Sequence, residues 1–296
     1  MIMRKKAAQN CNVPTAHGRM KSSWEFMMRK VILGIRRRVA EKLFGERRGK
    51  DGTPVAPLAL EGRMWLFFMV AAAVLGSAAV FLWAQADIDR RILAGHNLAR
   101  ENELLASGFK FVSGYGMAFI VLVVLAYLVL ALRRDQLRGG HLVYLLTIMS
   151  YGIGGITGDV LKEVFDRPRP FVTYADQIKP LSHPPSPSLP SGHATKSMAL
   201  ALPFAIFMSN RLWWSQLMKG VALSAALAVG YARIFMGVHY VSDVLASVAV
   251  AIACLPLAVW VTNRIGRRVT VEKLDALVRL WGAILFVLML YLLALS

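Results

Sequence analysis

The chain has 296 residues, 56% of them hydrophobic, with a mean hydropathy of +0.51 and a formal net charge of +18. That apolar content excludes an ordinary soluble domain and implies a multi-pass membrane protein. The charge invites a nucleic-acid reading, but Met1 to Arg63 alone holds 15 Lys and Arg against 5 Asp and Glu, and a basic block ahead of a first membrane segment reflects cytoplasmic orientation and attraction to anionic lipid instead.

Residues 1–23 read as a basic tail without the apolar core or small-residue cleavage site of a signal peptide. Cys11 lies in that tail and Cys254 mid-way along an apolar run, so no disulfide framework is expected. From Trp24 to Arg48, Trp24, Met28, Val31, Ile35 and Val39 recur at steps of three and four, with Arg29, Lys30, Arg36, Arg37 and Arg38 largely between them. This pattern predicts a basic amphipathic helix, lying either in the membrane interface or on the protein's own cytoplasmic face.

Met64 to Ala86 is uncharged over 23 residues, and a bilayer needs roughly 20. Asp87 to Lys110 is polar, and Phe111 to Leu132 is a second uncharged run. A basic loop, Arg133 to Arg138, precedes a third span over Leu142 to Gly158. In that span Gly154 and Gly158 form a small-xxx-small pair suited to close helix contact. Asp166 to Pro190 holds seven prolines, a density that predicts a stiff extended cover with no helix. The fourth span opens at Ser191 and runs to about Met208, the fifth runs from Gly220 towards Arg233, and the sixth from near His239 to near Asn263. Leu280 to Leu295 is a last apolar run, either a seventh span or an interfacial helix.

The expected fold class is therefore all-α. It is a transmembrane helix bundle with six core spans and a further C-terminal helix, preceded by the amphipathic helix. Three parts follow: a cytoplasmic tail over 1–63, a membrane domain over 64–263 with its catalytic core at 159–263, and a basic linker with an apolar helix over 264–296. Six alternating spans place the basic segments (the N-terminal block, Arg133–Arg138, Arg211–Lys219 and Arg264–Lys273) together in the cytoplasm. The same alternation sends Lys162, Arg169, His193, Arg233 and His239 to the opposite face.

Ionisable groups at the ends of apolar runs are costly and read first as a functional site. Here they form three clusters: Lys162-x6-Arg169-Pro170, then Pro190-Ser191-Gly192-His193, then Arg233-x5-His239-x3-Asp243. Lys162, Arg169 and Arg233 can neutralise phosphate oxygens, the arginines as bidentate donors. Ser191 and Gly192 precede a helix, where backbone N–H groups face an anion. Ser191 also suits a plain N-cap. His239 and Asp243, four apart, are expected to share one helix face, so that the carboxylate orients the imidazole. Asp159, Glu163 and Asp166 are expected to pair with nearby bases or to tune access of an anionic substrate. His96, His141 and His183 read as surface or interfacial groups. No His/Cys cluster has zinc spacing and no phosphate-binding loop of the Walker type is present, so no metal and no cofactor is expected.

In order and spacing these clusters resemble the signature of the type 2 phosphatidic acid phosphatase (PAP2) family, over about 80 residues. One position departs: the serine expected before the last arginine is Ala232, which removes one hydroxyl from the expected pocket. The resemblance implies a membrane phosphatase acting on a lipid phosphate or lipid pyrophosphate; loop charge places the site at the extracytoplasmic face, and size and topology suggest a bacterial inner membrane. The resemblance also implies His239 as the nucleophile that forms a phosphohistidine and His193 as the acid and base. The competing readings are a lipid phosphotransferase using the same histidine, and an anion or lipid transporter. A transporter commonly carries an internal repeat, and none is visible here.

Overall fold

A computed structural model describes residues 58, 62–97, 101–132, 140–208 and 213–268, with isolated positions at 276, 280 and 283. The expected amphipathic helix, the Arg133–Arg138 loop and, apart from two isolated positions, the last apolar run lie outside the described residues. Among the described residues there is no strand. The helices are α1 (Gly62–Ala84), α2 (Ala86–Asn97), α3 (Glu103–Leu132), α4 (Gly140–Phe165), α5 (Pro170–Thr173), α6 (Gly192–Phe207), α7 (Trp213–Phe235) and α8 (Val241–Arg268).

Among the described residues, four stretches are long and apolar enough to cross a membrane: Arg63–Ala84, Glu103–Tyr127, Trp213–Phe235 and Val241–Gly266. Six were expected. The other two helices differ for physical reasons. α6 has only 16 residues, short of the roughly 20 a bilayer needs. α4 carries Gly152, Gly154, Gly155 and Gly158 and ends in Asp159, Lys162 and Glu163, which together lower its apolarity.

Burial divides the helices by task. α1 turns Leu66, Phe67, Val74, Val80 and Phe81 outwards, a surface that water would not tolerate and lipid would. α6 buries nearly its whole length and packs among α3, α4, α7 and α8. Its small residues allow this. Gly154 of α4 is so close to α6 that a Cβ there would lie 3.1 Å from the Cβ of Ala199, and one at Gly158 would meet Thr195 at 3.5 Å. The core around α6 joins Ile120, Tyr127, Met198, Phe204 and Ala226. The Tyr127 and Phe204 rings meet edge to face at 5.3 Å.

The proline-rich loop departs from expectation, and polarity alone predicts no element for Ala86 to Asn97. The proline-rich loop contains one helical turn, α5, because Pro170 stands at the first position of that turn, where its missing N–H costs nothing. The stretch from Ala86 to Asn97 is a helix with two buried polar residues, Asp89 and Asn97. Both point into the region where the long helices end. α1 and α7 finish there, α6 and α8 start there, and the chain leaves α4 there.

Candidate active site

Each site residue is delivered by a helix end or by the loop it opens onto. Lys162 lies in the last turn of α4, Arg169 in the extended segment beyond it, and Ser191, Gly192 and His193 at the start of α6. Arg233 lies in the last turn of α7, His239 in the turn that follows, and Asp243 in the first turn of α8. The contacts below join Lys162, Arg169, His239 and Asp243; Ser191 N lies 3.4 Å from Asp243 O, a Cβ on Gly192 would lie 3.6 Å from Lys162 Nζ, and Arg233 is a charged neighbour of His193.

His239 is 1% exposed. Its Nδ1 lies 3.3 Å from Asp243 Oδ2, and its Nε2 lies 3.1 Å from Arg169 Nη1. A guanidinium can only donate. Nε2 is therefore the acceptor nitrogen, Nδ1 carries the proton, and that proton goes to Asp243. The lone pair on Nε2 faces the Arg169 cation. His239 does not share a helix with Asp243, as the spacing suggested. It precedes α8, which begins at Val241. The pair forms because Asp243 Oδ2 folds back to accept from the Tyr240 N–H at 2.9 Å, which sets the carboxylate beside the turn.

That turn is built by Gly237. Its φ of +69° is a conformation that suits glycine. A Cβ there would also meet Asn97 Nδ2 at 2.9 Å and Ile178 at 3.0 Å. Asn97 clamps the region, donating to Phe235 O at 3.0 Å and accepting from Lys179 N at 3.2 Å. Gly237→Ala is expected to destabilise the protein by about 1–3 kcal/mol through strain and contact and to lower activity by displacing His239. Thermal unfolding in detergent, alongside turnover, checks this; an unchanged midpoint would contradict it.

The three cations surround the turn. Arg169 Nε donates to Ser186 O at 2.7 Å, and Arg169 Nη1 to Val238 O at 2.8 Å. The Ser186 hydroxyl lies 3.3 Å from Lys162 Nζ and 3.1 Å from Arg169 Nη2, so it bridges two of the cations. Arg233 Nη1 donates to Ser113 Oγ of α3 at 2.7 Å, while its Nε is buried with no partner among the described residues. His193 is half-buried, with Arg233, Lys162, Lys196 and Arg169 as its charged neighbours. Burial lowers the Arg169 pKa from its ordinary value, and Asp243 opposes that shift.

Ser191 holds the N-cap position but makes no capping bond. Its N–H does not face an anion either. It donates to Ser247 Oγ of α8 at 2.8 Å, because α6 starts against that helix. Its own hydroxyl is buried and without a partner among the described residues. Unsatisfied buried polar atoms are rare in native proteins, and two of them, Ser191 Oγ and Arg233 Nε, belong to the expected phosphate pocket. Asp159 pairs with Lys196 at 3.2 Å rather than with Lys162. Among the described residues no ion pair of Glu163 or Asp166 is found. His96 is exposed and lies 3.1 Å from the Tyr231 hydroxyl, and His183 meets the Phe171 ring edge to face. No group of His, Cys, Asp and Glu suited to a metal occurs among the described residues.

Sequence reading missed Asp89, Arg167, Ser186, Ser188 and Ser113. Ser188 Oγ donates to Asp243 Oδ2, and Arg167 pairs with both Asp89 and Asp243.

Burial pushes the His239 pKa down to about 3, against the opposing pull of Asp243. In the unfolded chain it lies near ~6.5. Between those values the unfolded chain binds the extra proton, so this contribution to stability is complete above ~6.5 and fades as pH falls towards 3. The thermal midpoint of His239→Asn is therefore expected to fall less than that of the unaltered protein between pH 7 and pH 4. Equal falls would contradict a buried neutral imidazole.

The sequence profile of the PAP2 superfamily matches residues 141–267. The chain is 30% identical over 161 residues to undecaprenyl-diphosphatase BcrC of Bacillus subtilis (strain 168), spanning 53% of this chain and 75% of that protein. It is 35% identical over 105 residues to phosphatidylglycerophosphatase B of the same organism, spanning 34% of this chain and 49% of that protein. A solved structure, a transmembrane PAP2-type phosphatidylglycerolphosphate phosphatase from Bacillus subtilis, aligns with a TM-score of 0.47 at 24% identity. It covers 69% of this chain and 96% of that one. The chain belongs to the PAP2 superfamily.

Proposed function

We propose that this chain is an integral membrane phosphatase that hydrolyses a lipid phosphate or lipid diphosphate through a phosphohistidine on His239. Membership of the superfamily, with relatives named as phosphatases and diphosphatases, makes it a hydrolase of lipid phosphates. The observation that carries the mechanism is the polarity of His239: Nδ1 towards Asp243, Nε2 towards Arg169.

Lys162, Arg169 and Arg233 hold the phosphate oxygens, joined by the Ser191 hydroxyl and the start of α6 at Gly192. The Nε2 lone pair attacks phosphorus. The bond from phosphorus to the leaving oxygen breaks, and that oxygen keeps the electron pair and takes a proton from His193. Neutral His193 then accepts a proton from water. The resulting hydroxide attacks phosphorus, the N–P bond breaks, and its electron pair returns to Nε2. Asp243 holds the Nδ1 proton throughout, so the net change is one water consumed per phosphate released.

Six helices cross the membrane in this reading, α1, α3, α4, α6, α7 and α8, within a membrane domain over 64–263. Their alternation supports it: the site lies at one end, and the basic segments before α1, after α3, between α6 and α7, and after α8 attach at the other. By the positive-inside rule the site faces the extracytoplasmic side of a bacterial inner membrane, and the basic N-terminal segment meets anionic lipid.

Phosphate release by the purified protein tests the reading. Undecaprenyl diphosphate and phosphatidylglycerophosphate are the first substrates to try, since relatives are named for them. Release without a second lipid supports hydrolysis. Release that requires an acceptor lipid would make the chain a phosphotransferase.

A further inference from the structure

We propose that Arg167 is a positioning residue for the nucleophile, acting through Asp243, and that Asp89 of α2 holds Arg167 in place; this rests on His239 being the nucleophile. Arg167 falls inside the six-residue interval of the first cluster, two residues before Arg169, and is 7% exposed. The two arginines address opposite sides of the imidazole. Arg169 faces Nε2, while Arg167 serves the carboxylate on Nδ1.

Arg167 Nη1 donates to Asp243 Oδ1 at 2.7 Å and to Ser242 Oγ at 2.6 Å. Its Nη2 reaches Asp89 Oδ2 at 3.2 Å. The guanidinium lies 3.9 Å from the centre of the Tyr240 ring, within cation–π range. The Arg167 carbonyl accepts from Ser188 N at 2.8 Å, and Ser188 Oγ donates to the other oxygen of Asp243. One residue thus holds both carboxylate oxygens, Oδ1 directly and Oδ2 through Ser188. It also touches residues 240, 242 and 243, which directly follow His239.

Charge explains why Asp89 is needed. Arg167 alone would cancel the negative charge of Asp243, which the imidazole needs. When Nε2 bonds phosphorus with Nδ1 still protonated, the ring becomes positive. Asp89 restores one net negative charge to the buried group. It is itself well bonded, accepting from Ser242 N at 3.3 Å and from the Ser242 hydroxyl. The chain of contacts runs Asp89, Arg167, Asp243, His239, and links α2 to the turn after α7. No contact of Arg167 among the described residues is with Lys162, Arg169, His193 or Arg233, so it is not a fourth phosphate cation.

The test is steady-state kinetics on full-length Arg167→Gln, Arg167→Lys and Asp89→Asn, counted per monodisperse folded molecule. Arg167→Gln is expected to lower kcat about 100-fold, the scale of a small misplacement of a reacting group, with KM within about threefold because uniform binding is untouched. Arg167→Lys is expected to recover part of kcat through its charge. Asp89→Asn should lower kcat about 10-fold with KM unchanged, and it keeps the proposal testable if Arg167→Gln does not fold. Adding Asp89→Asn to Arg167→Gln should cost little more, since the two act through one contact. Unchanged kcat in Arg167→Gln or Asp89→Asn, or a rise in KM that accounts for the loss, would overturn the proposal. His239→Ala separates the two levels: if it is inactive while Arg167→Gln is fully active, only the positioning role fails; if it is active, the nucleophile assignment fails first.

Discussion

Replacing His239 by alanine is expected to lower phosphate release by about 10⁴-fold or more, the scale seen when a covalent nucleophile is removed. The size follows from the site. Nε2 is the acceptor nitrogen aimed at Arg169, and among the described residues no other histidine has the same pairing of a carboxylate behind and a cation in front. Phosphate binding should survive, because Lys162, Arg169, Arg233 and Ser191 remain. The same variant should therefore still bind an unreactive phosphate analogue within a few-fold of the unaltered protein. Loss of binding along with turnover would point to collapse of the pocket instead. By comparison His193→Ala is expected to cost about 10²–10⁴-fold, the usual range for a general acid and base.

Asp243→Asn is the second large effect, expected at about 10⁴-fold in kcat. Asp243 is fully buried and accepts from His239, Arg167, Ser188 and Tyr240 N–H. An asparagine of the same size keeps the shape but brings an NH₂ group where only acceptors fit. It can turn that NH₂ towards His239 Nδ1, which would force the proton onto Nε2 and remove the attacking lone pair. It also leaves the buried Arg167 charge short of a partner, a costly arrangement. The variant should thus lose stability as well as rate, while Asp243→Glu, longer by one methylene, should keep charge and lose orientation. Turnover and thermal unfolding together check this. A variant with near-normal kcat would mean that Nδ1 needs no carboxylate.

Much of the candidate site was legible because its members are charged residues at the ends of apolar runs. Lys162, Arg169, His193, Arg233, His239 and Asp243 stand out for that reason alone. The supporting residues carry no such mark. Ser113, Ser186 and Ser188 are common residues with no period to betray them, and Asp89 sits in a stretch of mixed charge. Only the folded chain brings residue 89 beside 242, or 113 beside 233. Arg167 was visible but hidden by its neighbour Arg169, which belongs to the recognised cluster. The spacing of His239 and Asp243 suggested a shared helix, whereas Gly237 shapes a turn there and α8 begins after His239. The contact survived because Asp243 caps the Tyr240 N–H. Ala232 was read as a lost hydroxyl. It is fully buried, and Arg233 receives its hydroxyl contact from Ser113 of α3.

Span count was harder to read from sequence. The helices with the most chemistry are the least like lipid-facing helices: α6 is short and buried, and α4 ends in charge. The six expected spans rest on apolar runs, and the loop charges set only their orientation. Labelling of introduced cysteines from each side of oriented vesicles would test it.

The most direct measurement is capture of the covalent intermediate. The protein is mixed with a lipid phosphate labelled in its phosphorus, quenched in alkali within the first turnover, and digested for mass spectrometry. The proposed mechanism predicts one added phosphoryl group on the peptide bearing His239, stable to alkali, labile to acid, and absent from His239→Ala. Phosphate release with no such adduct, or an adduct on His193 or Ser191 instead, would contradict it.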